Sequence, residues 1–556
     1  MLFVWPVSLR VGIVSCAMPW LAAFTPNAQA VGAVVMDGRF NDWDSNLGNE
    51  VKVATTQSNL FVCFTLPNAV VFQEGSGVEI FFDTDGDPAT GAPLHGIGVE
   101  RRWLAGSRLG HKYAGNSTNA FTTFTHSAVQ LKACPVHDSA TFEISVLREN
   151  MNAPMLSVSV THNGVLRGVV AIPYSNLQPI KNTDAQRHAY TDVRTVGYNV
   201  LSDGLFQTNR GDTMLVELSA LQPDVICFSE IYNRTALQTL ARVTNALPYM
   251  AHAVDNLNQP MFRDVQIVSR YPITWTNAGE AFVLGRIQSS SAGVDFIACS
   301  SHLKCCAAPA WRASQLAALK SVLQAIRGGF YPTIPTNIPI VLIGDLNLVN
   351  FDTAAFTPFR NDLQLTHLHP LHLDSFEDYT WQSYAESFSD GRLDHALISE
   401  GVVALKSFIY RSPTPPSDHF PVVVDLAFDS DQDRLGDRWE VSHWHDLSAT
   451  GMADSDGDGM DNLNEQLAGT SPVDPHSKVS LALKQNNAAF SLQVRQSFNS
   501  HWLLWHSTNL VSWSRLGLWS EGMATLELDK PALAGFYRLE APQPLGASGP
   551  RVSPRD

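Results

Sequence analysis

Ile340-Val341-Leu342-Ile343-Gly344-Asp345-Leu346-Asn347 is an unbroken apolar run that stops on a glycine and then offers an aspartate and an asparagine. A continuous Ile/Val/Leu run without polar alternation suits a strand covered on both faces. Its polar pair then stands at a strand end, where the sheet holds the backbone and the loop leaves the side chain accessible. Other runs finish in the same way: Tyr198-Asn199-Val200, Phe228-Ser229-Glu230, Ser301-His302-Leu303, Arg392-Leu393-Asp394-His395 and Ser417-Asp418-His419-Phe420-Pro421. Thr213 to Leu221 and Ala313 to Arg327, which lie between them, carry helical apolar spacing. Residues 191–428 therefore read as one α/β domain. A single polar station is a weak signal, but six in order at strand ends are specific.

This ordered set, with Ile267-Val268-Ser269-Arg270-Tyr271-Pro272-Ile273 and Thr380-Trp381 between the stations, resembles the endonuclease/exonuclease/phosphatase superfamily, the deoxyribonuclease I-like fold. The resemblance implies a four-layer α/β sandwich in which two packed sheets, flanked by helices, gather the strand ends into one cleft. It also implies a divalent-metal-dependent phosphoesterase, nuclease-like in hydrolysing phosphodiester bonds. That chemistry must neutralise charge on phosphate oxygens, orient a water in line and stabilise the leaving oxygen. On this resemblance Glu230 is the main ligand of Mg2+ (or Mn2+), since a hard ion that keeps its waters takes one or two protein carboxylates. Asn199 supports that site, and Asp418 is a further metal-site residue. Asp345 orients or deprotonates the attacking water, and Asn347 holds the phosphate or the water beside it. Asp394 positions His419. His302 stands across the cleft as proton donor to the leaving oxygen or hydrogen-bond donor to phosphate, and the two histidines are interchangeable in these roles. Where some relatives place a catalytic Tyr or Glu before Ser269, this chain has Arg263-Asp264, to which no role is assigned. Lys304 and Arg312 face substrate phosphate or are surface cations, and adjacent Cys305 and Cys306 form a vicinal disulfide or pair elsewhere.

The whole chain has 556 residues, 45% hydrophobic and 16% charged, enough for three or four domains. Collagen-like, coiled-coil and mostly disordered classes are excluded by 36 Gly and 31 Pro without a low-complexity tract. Lys and Arg number 37 against 53 Asp and Glu, for a formal charge of -16, which argues against a large basic face that wraps nucleic acid. Residues 190–428 alone hold 15 basic and 22 acidic side chains. Small phosphoesters and lipid head groups thus stand beside nucleic acid as substrates, and a binding or adhesion protein with a silent central domain is the competing class.

One positive residue, Arg10, precedes an apolar run from Val11 to Phe24 and then Asn27-Ala28-Gln29-Ala30. This reads as a signal peptide over residues 1–30, so that the mature chain is soluble, has no transmembrane span and is secreted, extracellular or periplasmic. Export permits disulfides, with Cys63 and Cys134 as a candidate pair, while Cys227 and Cys299 lie in apolar runs that suit buried thiols. Residues 31–175 alternate in short runs such as Leu60-Phe61-Val62-Cys63-Phe64 and Val78-Glu79-Ile80-Phe81-Phe82, which predict an antiparallel β-sandwich. The segment resembles DOMON-like and family 9 carbohydrate-binding-module-like domains, which implies a carbohydrate or cell-surface ligand. Asp83, Asp85 and Asp87 either hold a hard cation or make an Asx-rich turn. Residues 176–190 read as a linker.

Residues 429–475 carry 12 acidic and 2 basic side chains. From Asp454 the spacing fits a calcium loop: Asp454, Asp456, Asp458 and Asn462 at positions 1, 3, 5 and 9, Gly459 at 6, Met460 through its carbonyl at 7, and Glu465 at 12. Asp429, Asp431, Asp433, Asp437 and Glu440 repeat it, with Arg434 where glycine belongs. The segment resembles thrombospondin type 3-like repeats, which implies structural Ca2+. Residues 476–545, with Trp502, Trp505, Trp513 and Trp519, predict a small β module, and residues 546–556 a disordered tail.

Overall fold

The computed structural model describes residues 34, 36, 38, 40, 43, 50–134, 139–148, 155–173, 185–259, 261, 263–289, 293, 295–306, 308–348, 355–372, 377–383, 388–486, 489–494, 502–507, 514–519, 525–528 and 536–540. The expected signal peptide and C-terminal tail, and most of the expected linker, lie outside these residues.

The central domain is built on two sheets. Its strands are β1 (Val193–Asn199), β2 (Val225–Ser229), β3 (His252–Asp255), β4 (Gln266–Ser269), β5 (Ile273–Gly279), β6 (Phe282–Gln288), β7 (Asp295–His302), β8 (Ile340–Asp345), β9 (Thr366–Leu368), β10 (Leu371–His372), β11 (Asp394–Ile398), β12 (Val402–Ile409) and β13 (Val422–Phe428). One sheet runs β3-β4-β2-β1-β13-β12-β10 and the other β5-β6-β7-β8-β11-β9. Between them lies a core that includes Val225, Ile267, Val283, Val341, Ile343 and Val424. Helices α1 (Arg210–Leu221) and α2 (Ala236–Val243) close the outer face of the first sheet with Leu218, Leu221 and Val243. Helices α3 (Pro309–Arg327) and α4 (Phe356–Asp362) close the second with Leu316, Leu319, Leu323 and Phe356. The result is the deoxyribonuclease I-like four-layer arrangement. Apolar runs such as β8 show no alternation because both faces of each sheet are covered.

Strand register places the polar stations. β7 and β8 run parallel with His302 opposite Asp345, and β11 runs antiparallel to β8 with Asp394 opposite Asp345. In the other sheet Asn199 pairs with Ser229, so Glu230 follows at the same edge. Gly197 lets the sheets approach, since a Cβ there would lie 2.6 Å from Ile343 Cγ1. Asn199 and Asp345, each two residues further on, thereby come within reach of one another.

Arg194 of β1 and Asp425 of β13 form a bidentate pair at 2.5 and 2.7 Å, with side chains 1% and 0% exposed. The same carboxylate accepts the backbone N–H of His188, Ala185 O accepts from Arg194, and Gln186 O accepts from Lys406. The end of the expected linker is thus docked on the domain rather than spanning solvent.

Ahead of it, strands Val51–Thr55, Asn59–Val70, Ser139–Leu147 and Lys132–Cys134 form one antiparallel sheet, and Val165–Pro173, Met155–His162, Val78–Asp83, Arg101–Leu104, Leu109–Tyr113 and Phe121–Phe124 form another. The two share a core around Phe64, Phe72, Phe82, Trp103 and Phe142. The expected Cys63–Cys134 bridge is not formed. Both cysteines stand opposite Glu143 from either side of its strand, which sets their Cα atoms roughly 9 to 10 Å apart, beyond the ~7 Å a disulfide spans. Cys227 and Cys299 are buried thiols. After β13, short helices α5 (Asp437–Trp444) and α6 (Asn462–Ala468) pack through Trp439, Leu463 and Leu467, together with Leu435 ahead of α5, on Leu405 and Ala427 of the central domain. Two three-stranded sheets follow. Among the described residues no helix is long and apolar enough to cross a membrane.

Candidate active site

Asp345 stands at the centre of the cleft. Its Oδ2 lies 3.5 Å from His302 Nε2 and 3.6 Å from His419 Nε2, and accepts a 3.0 Å hydrogen bond from Asn199 Nδ2. Asn199 Nδ2 also donates to Glu230 Oε1 at 3.1 Å. Each histidine is backed by its own carboxylate: His419 Nδ1 meets Asp394 Oδ2 at 2.7 Å, and His302 Nδ1 meets Asp264 Oδ2 at 2.5 Å. A carboxylate on Nδ1 sets the ring so that Nε2 points into the cleft. Two carboxylate-histidine pairs therefore converge on one oxygen.

Asn199, Asp264, His302, Asp345, Asp394 and His419 are all buried, so their charges act through little water. Burial pulls His302 down, but the Asp264 carboxylate prevails and raises it to about 9, with Asp345 and Glu230 adding to the effect. His419 is treated alike: burial opposes and Asp394, then Asp345, raise it to about 10. Burial pushes Asp345 above the usual carboxylate range, His419 and His302 draw it down, and Asp394 pushes it up.

The backbone aims these groups through left-handed turns. Glu230 has φ +62°, which turns its carboxylate off the end of β2, where Oε2 accepts from Ser202 N at 2.8 Å. Asn347 has φ +48°, its N–H donates to Asp345 Oδ1 at 2.9 Å, and its Nδ2 donates to Leu303 O at 2.9 Å. Asn347 thus ties the loop after β8 to the loop after His302. Asp418 Oδ2 accepts the indole N–H of Trp381 at 3.0 Å and Oδ1 accepts from Ser417 at 3.4 Å, at the margin of the group formed by Asp345, Asp394 and His419. Thr380 Oγ1 accepts the N–H groups of Leu393 and Asp394, both at 2.9 Å. Buried Arg312 of α3 donates to Lys304 O and Cys306 O, a role in holding the loop.

Two participants were not assigned from sequence. Asp264 lies in a loop with no apolar period to place it, and only the fold carries it to His302. Tyr232 overlooks the same cleft, its phenol raised by partial burial and then by the Glu230, Asp264 and Asp345 carboxylates. Its nearness to Glu230 in sequence was the available signal.

The donor set fits a hard divalent cation. Among the described residues the ion-pair partners of Asp264, Asp345 and Asp394 in this cleft are the two histidines, and Asp264 Oδ1 is buried without a hydrogen-bond partner.

The model of the Endonuclease/Exonuclease/phosphatase family matches residues 196–419, a span that runs from β1 to His419. The region is an endonuclease/exonuclease/phosphatase domain, the fold of hydrolases that act on phosphoester bonds. Similar solved structures include the human Nocturnin catalytic domain with bound sulfate anion, 19% identical over 43% of this chain and 94% of that one, with TM-score 0.33. An endonuclease/exonuclease/phosphatase family protein from Bacteroides thetaiotaomicron is 18% identical over 43% and 98%, with TM-score 0.34. Beta toxin from Staphylococcus aureus is 19% identical over 42% and 99%, with TM-score 0.31. No curated protein matches the chain.

The acidic segment forms two loops with inward carboxylates. In the second, Asp454, Asp456 and Asp458 bring their oxygens together, Gly459 takes φ +97°, and the Asp456 Oδ2, Asp458 Oδ2, Asn462 Oδ1 and Glu465 Oε2 atoms are buried without hydrogen-bond partners. In the first, Asp429, Asp431 and Asp437 cluster, as do Asp431, Asp433 and Glu440, and both Glu440 oxygens are buried without partners. Arg434 adopts φ +81° where glycine was expected, so the loop closes without it. Buried oxygens left without donors cost free energy unless a cation is bound, and here they face one another.

Proposed function

We propose that this chain is an exported, divalent-metal-dependent phosphodiesterase. The observation that carries the reading is the convergence of His302 and His419, each oriented by a carboxylate, on Asp345 beside the Asn199–Glu230 pair. Glu230, with Asn199, would hold Mg2+ or Mn2+, and Asp418 would contribute from its position beside His419. A cation bound there would neutralise charge on the phosphate oxygens. Asp345, between the histidines, orients the attacking water and accepts its proton. One imidazolium binds the phosphate while the other donates a proton to the leaving oxygen, and the carboxylates behind them hold the two rings in place. Asn347 keeps the loops after His302 and Asp345 at a fixed separation, beside the phosphate.

Export is supported by the apolar run and Ala28-Gln29-Ala30 of residues 1–30. The N-terminal sheets form a binding-type sandwich for a carbohydrate or cell-surface ligand, as their sequence resemblance implies. Residues 429–475 bind structural Ca2+ as thrombospondin type 3-like repeats. Nucleic acid, lipid and small phosphoesters remain the substrate classes, and the domain's acidic excess favours the smaller ones.

The test is hydrolysis of bis-p-nitrophenyl phosphate by purified residues 31–556 with Mg2+ or Mn2+, with EDTA, and in Glu230→Ala. Metal-dependent turnover lost on that substitution supports the reading. A folded protein that is silent with both metals overturns it in favour of a binding protein or a monoesterase.

A further inference from the structure

The N-terminal sheets do more than precede the catalytic domain: they hold the segment that carries Thr380 and Trp381. Glu377 of that segment is 6% exposed and is enclosed by three donors from the N-terminal unit. Lys132 Nζ lies at 3.0 Å, Asn59 Nδ2 donates at 3.0 Å, and Ser145 Oγ donates to the same carboxylate. The contact continues at Asp378 and again at Ser389 and Asp390. Asp378 N donates to Met36 O at 3.1 Å, Ser389 N donates to Gln73 Oε1 at 2.8 Å, and Lys132 and Asp390 form a backbone bridge. Lys132 Nζ also stands 5.0 Å over the Tyr379 ring. A buried ion pair with its remaining valences filled is a rigid and selective joint, because removing one partner leaves an uncompensated charge.

From Glu377 the cleft is three to four residues away. Thr380 Oγ1 holds the N–H groups of Leu393 and Asp394, Thr380 O accepts from Phe420 N at 2.8 Å, and Trp381 Nε1 donates to Asp418 Oδ2. Gln382 N donates to Asp418 O at 2.7 Å, and Trp381 forms a bridge with His419. Residues 377–382 are thus gripped at one end by the N-terminal unit and grip Asp394, Asp418 and His419 at the other.

We propose that the N-terminal unit is a positioning element of the active site, with Glu377 and Lys132 as its positioning residues: their buried pair fixes the segment that sets the Asp394–His419 couple. This rests on the phosphodiesterase reading for its kinetic arm only. The full mature chain is compared with Glu377→Gln, Lys132→Met and the double variant, with Arg102→Gln, whose pair with Glu79 lies elsewhere on the same unit, as control.

Each single variant is expected to lose about tenfold or more in kcat on bis-p-nitrophenyl phosphate with KM within about twofold, since a small displacement of a catalytic group costs rate rather than binding of so small a substrate. The double variant, which leaves neither member of the Glu377–Lys132 pair charged without the other, is expected to recover part of that loss, and the control to lose none. Amide hydrogen exchange at Asp394 and Phe420 is expected to speed up by about tenfold in the single variants, with β7 and β8 unchanged, because the bonds to Thr380 open locally. Single variants with parental kcat and parental exchange at Asp394 and Phe420 overturn the proposal. If the parent itself turns nothing over, the phosphodiesterase reading has failed, and exchange alone decides whether the joint holds the segment.

Discussion

Asp264 shows how one side chain outside every recognisable pattern can complete a site. Its contact to His302 Nδ1, at 2.5 Å, is of the same kind as that of Asp394 to His419 Nδ1, at 2.7 Å, so its loss should cost comparable rate. Asp264→Asn keeps the shape but removes the charge that raises His302. It is expected to lower kcat on bis-p-nitrophenyl phosphate by about a hundredfold, within the range that general acid-base groups supply. A loss of under threefold would mean that His302 is oriented by something else. His188 and His395 behave oppositely. Burial holds both down to about 4, so in the folded chain they are neutral where an unfolded histidine, near 6.5, already binds a proton. Their contribution to stability is complete above about pH 6.5 and is lost as pH falls toward 4, at up to ~1.4 kcal/mol per pH unit for each. Urea midpoints taken across that window should fall with acid, and less steeply in His188→Gln.

Among elements, strands β1 and β8, which face each other across the two sheets, decide whether the stations meet. Gly197 is where the two sheets touch, and a methyl group there would press on Ile343. Gly197→Ala is expected to cost about 1 to 3 kcal/mol of stability through overpacking, and to lower kcat more than Ile343→Val, which leaves space instead. Parental activity in Gly197→Ala would show that the Asn199–Asp345 contact tolerates wider sheets. In the acidic segment the buried, unpartnered oxygens of Glu440 and Glu465 argue for a cation in both loops. Ca2+ is expected to raise the melting temperature of the chain and EGTA to lower it. Glu465→Gln and Glu440→Gln should each remove part of the gain, with Mg2+ a poor substitute because the loops offer many oxygens and few waters. Calcium titration followed by calorimetry checks this, and an unchanged melting temperature would count against both loops. The strand runs and α1 and α3 were legible because periodicity reports burial. The helix starts were less so, since α1 begins at Arg210 and α3 at Pro309, ahead of the apolar spacing that revealed them.

At the scale of the molecule, a formal charge of -16 shapes which phosphoesters can approach. Proteins that bind DNA through many Lys and Arg contacts lose affinity steeply with salt, whereas this chain has few to offer. Raising salt from about 50 to 200 mM is therefore expected to leave hydrolysis of a small diester unchanged and to slow a DNA substrate by well under tenfold. A steep salt-dependent loss on DNA would instead reveal a basic track that the overall charge conceals.

What the sequence by itself determined is the set of strand ends and the residue types on them, because apolar runs must be buried and the polar groups that end them must find polar partners. Asn199, Glu230, His302, Asp345, Asp394 and His419 were all readable in that way. Tertiary structure alone decided which carboxylate stands behind which histidine, that Asp418 turns to Trp381, that Cys63 and Cys134 are held apart by Glu143, and that Glu377 is locked to Lys132 of another unit. These are pairings across long stretches of chain, set by sheet register and by the approach of separate layers. Local propensity carries no record of either.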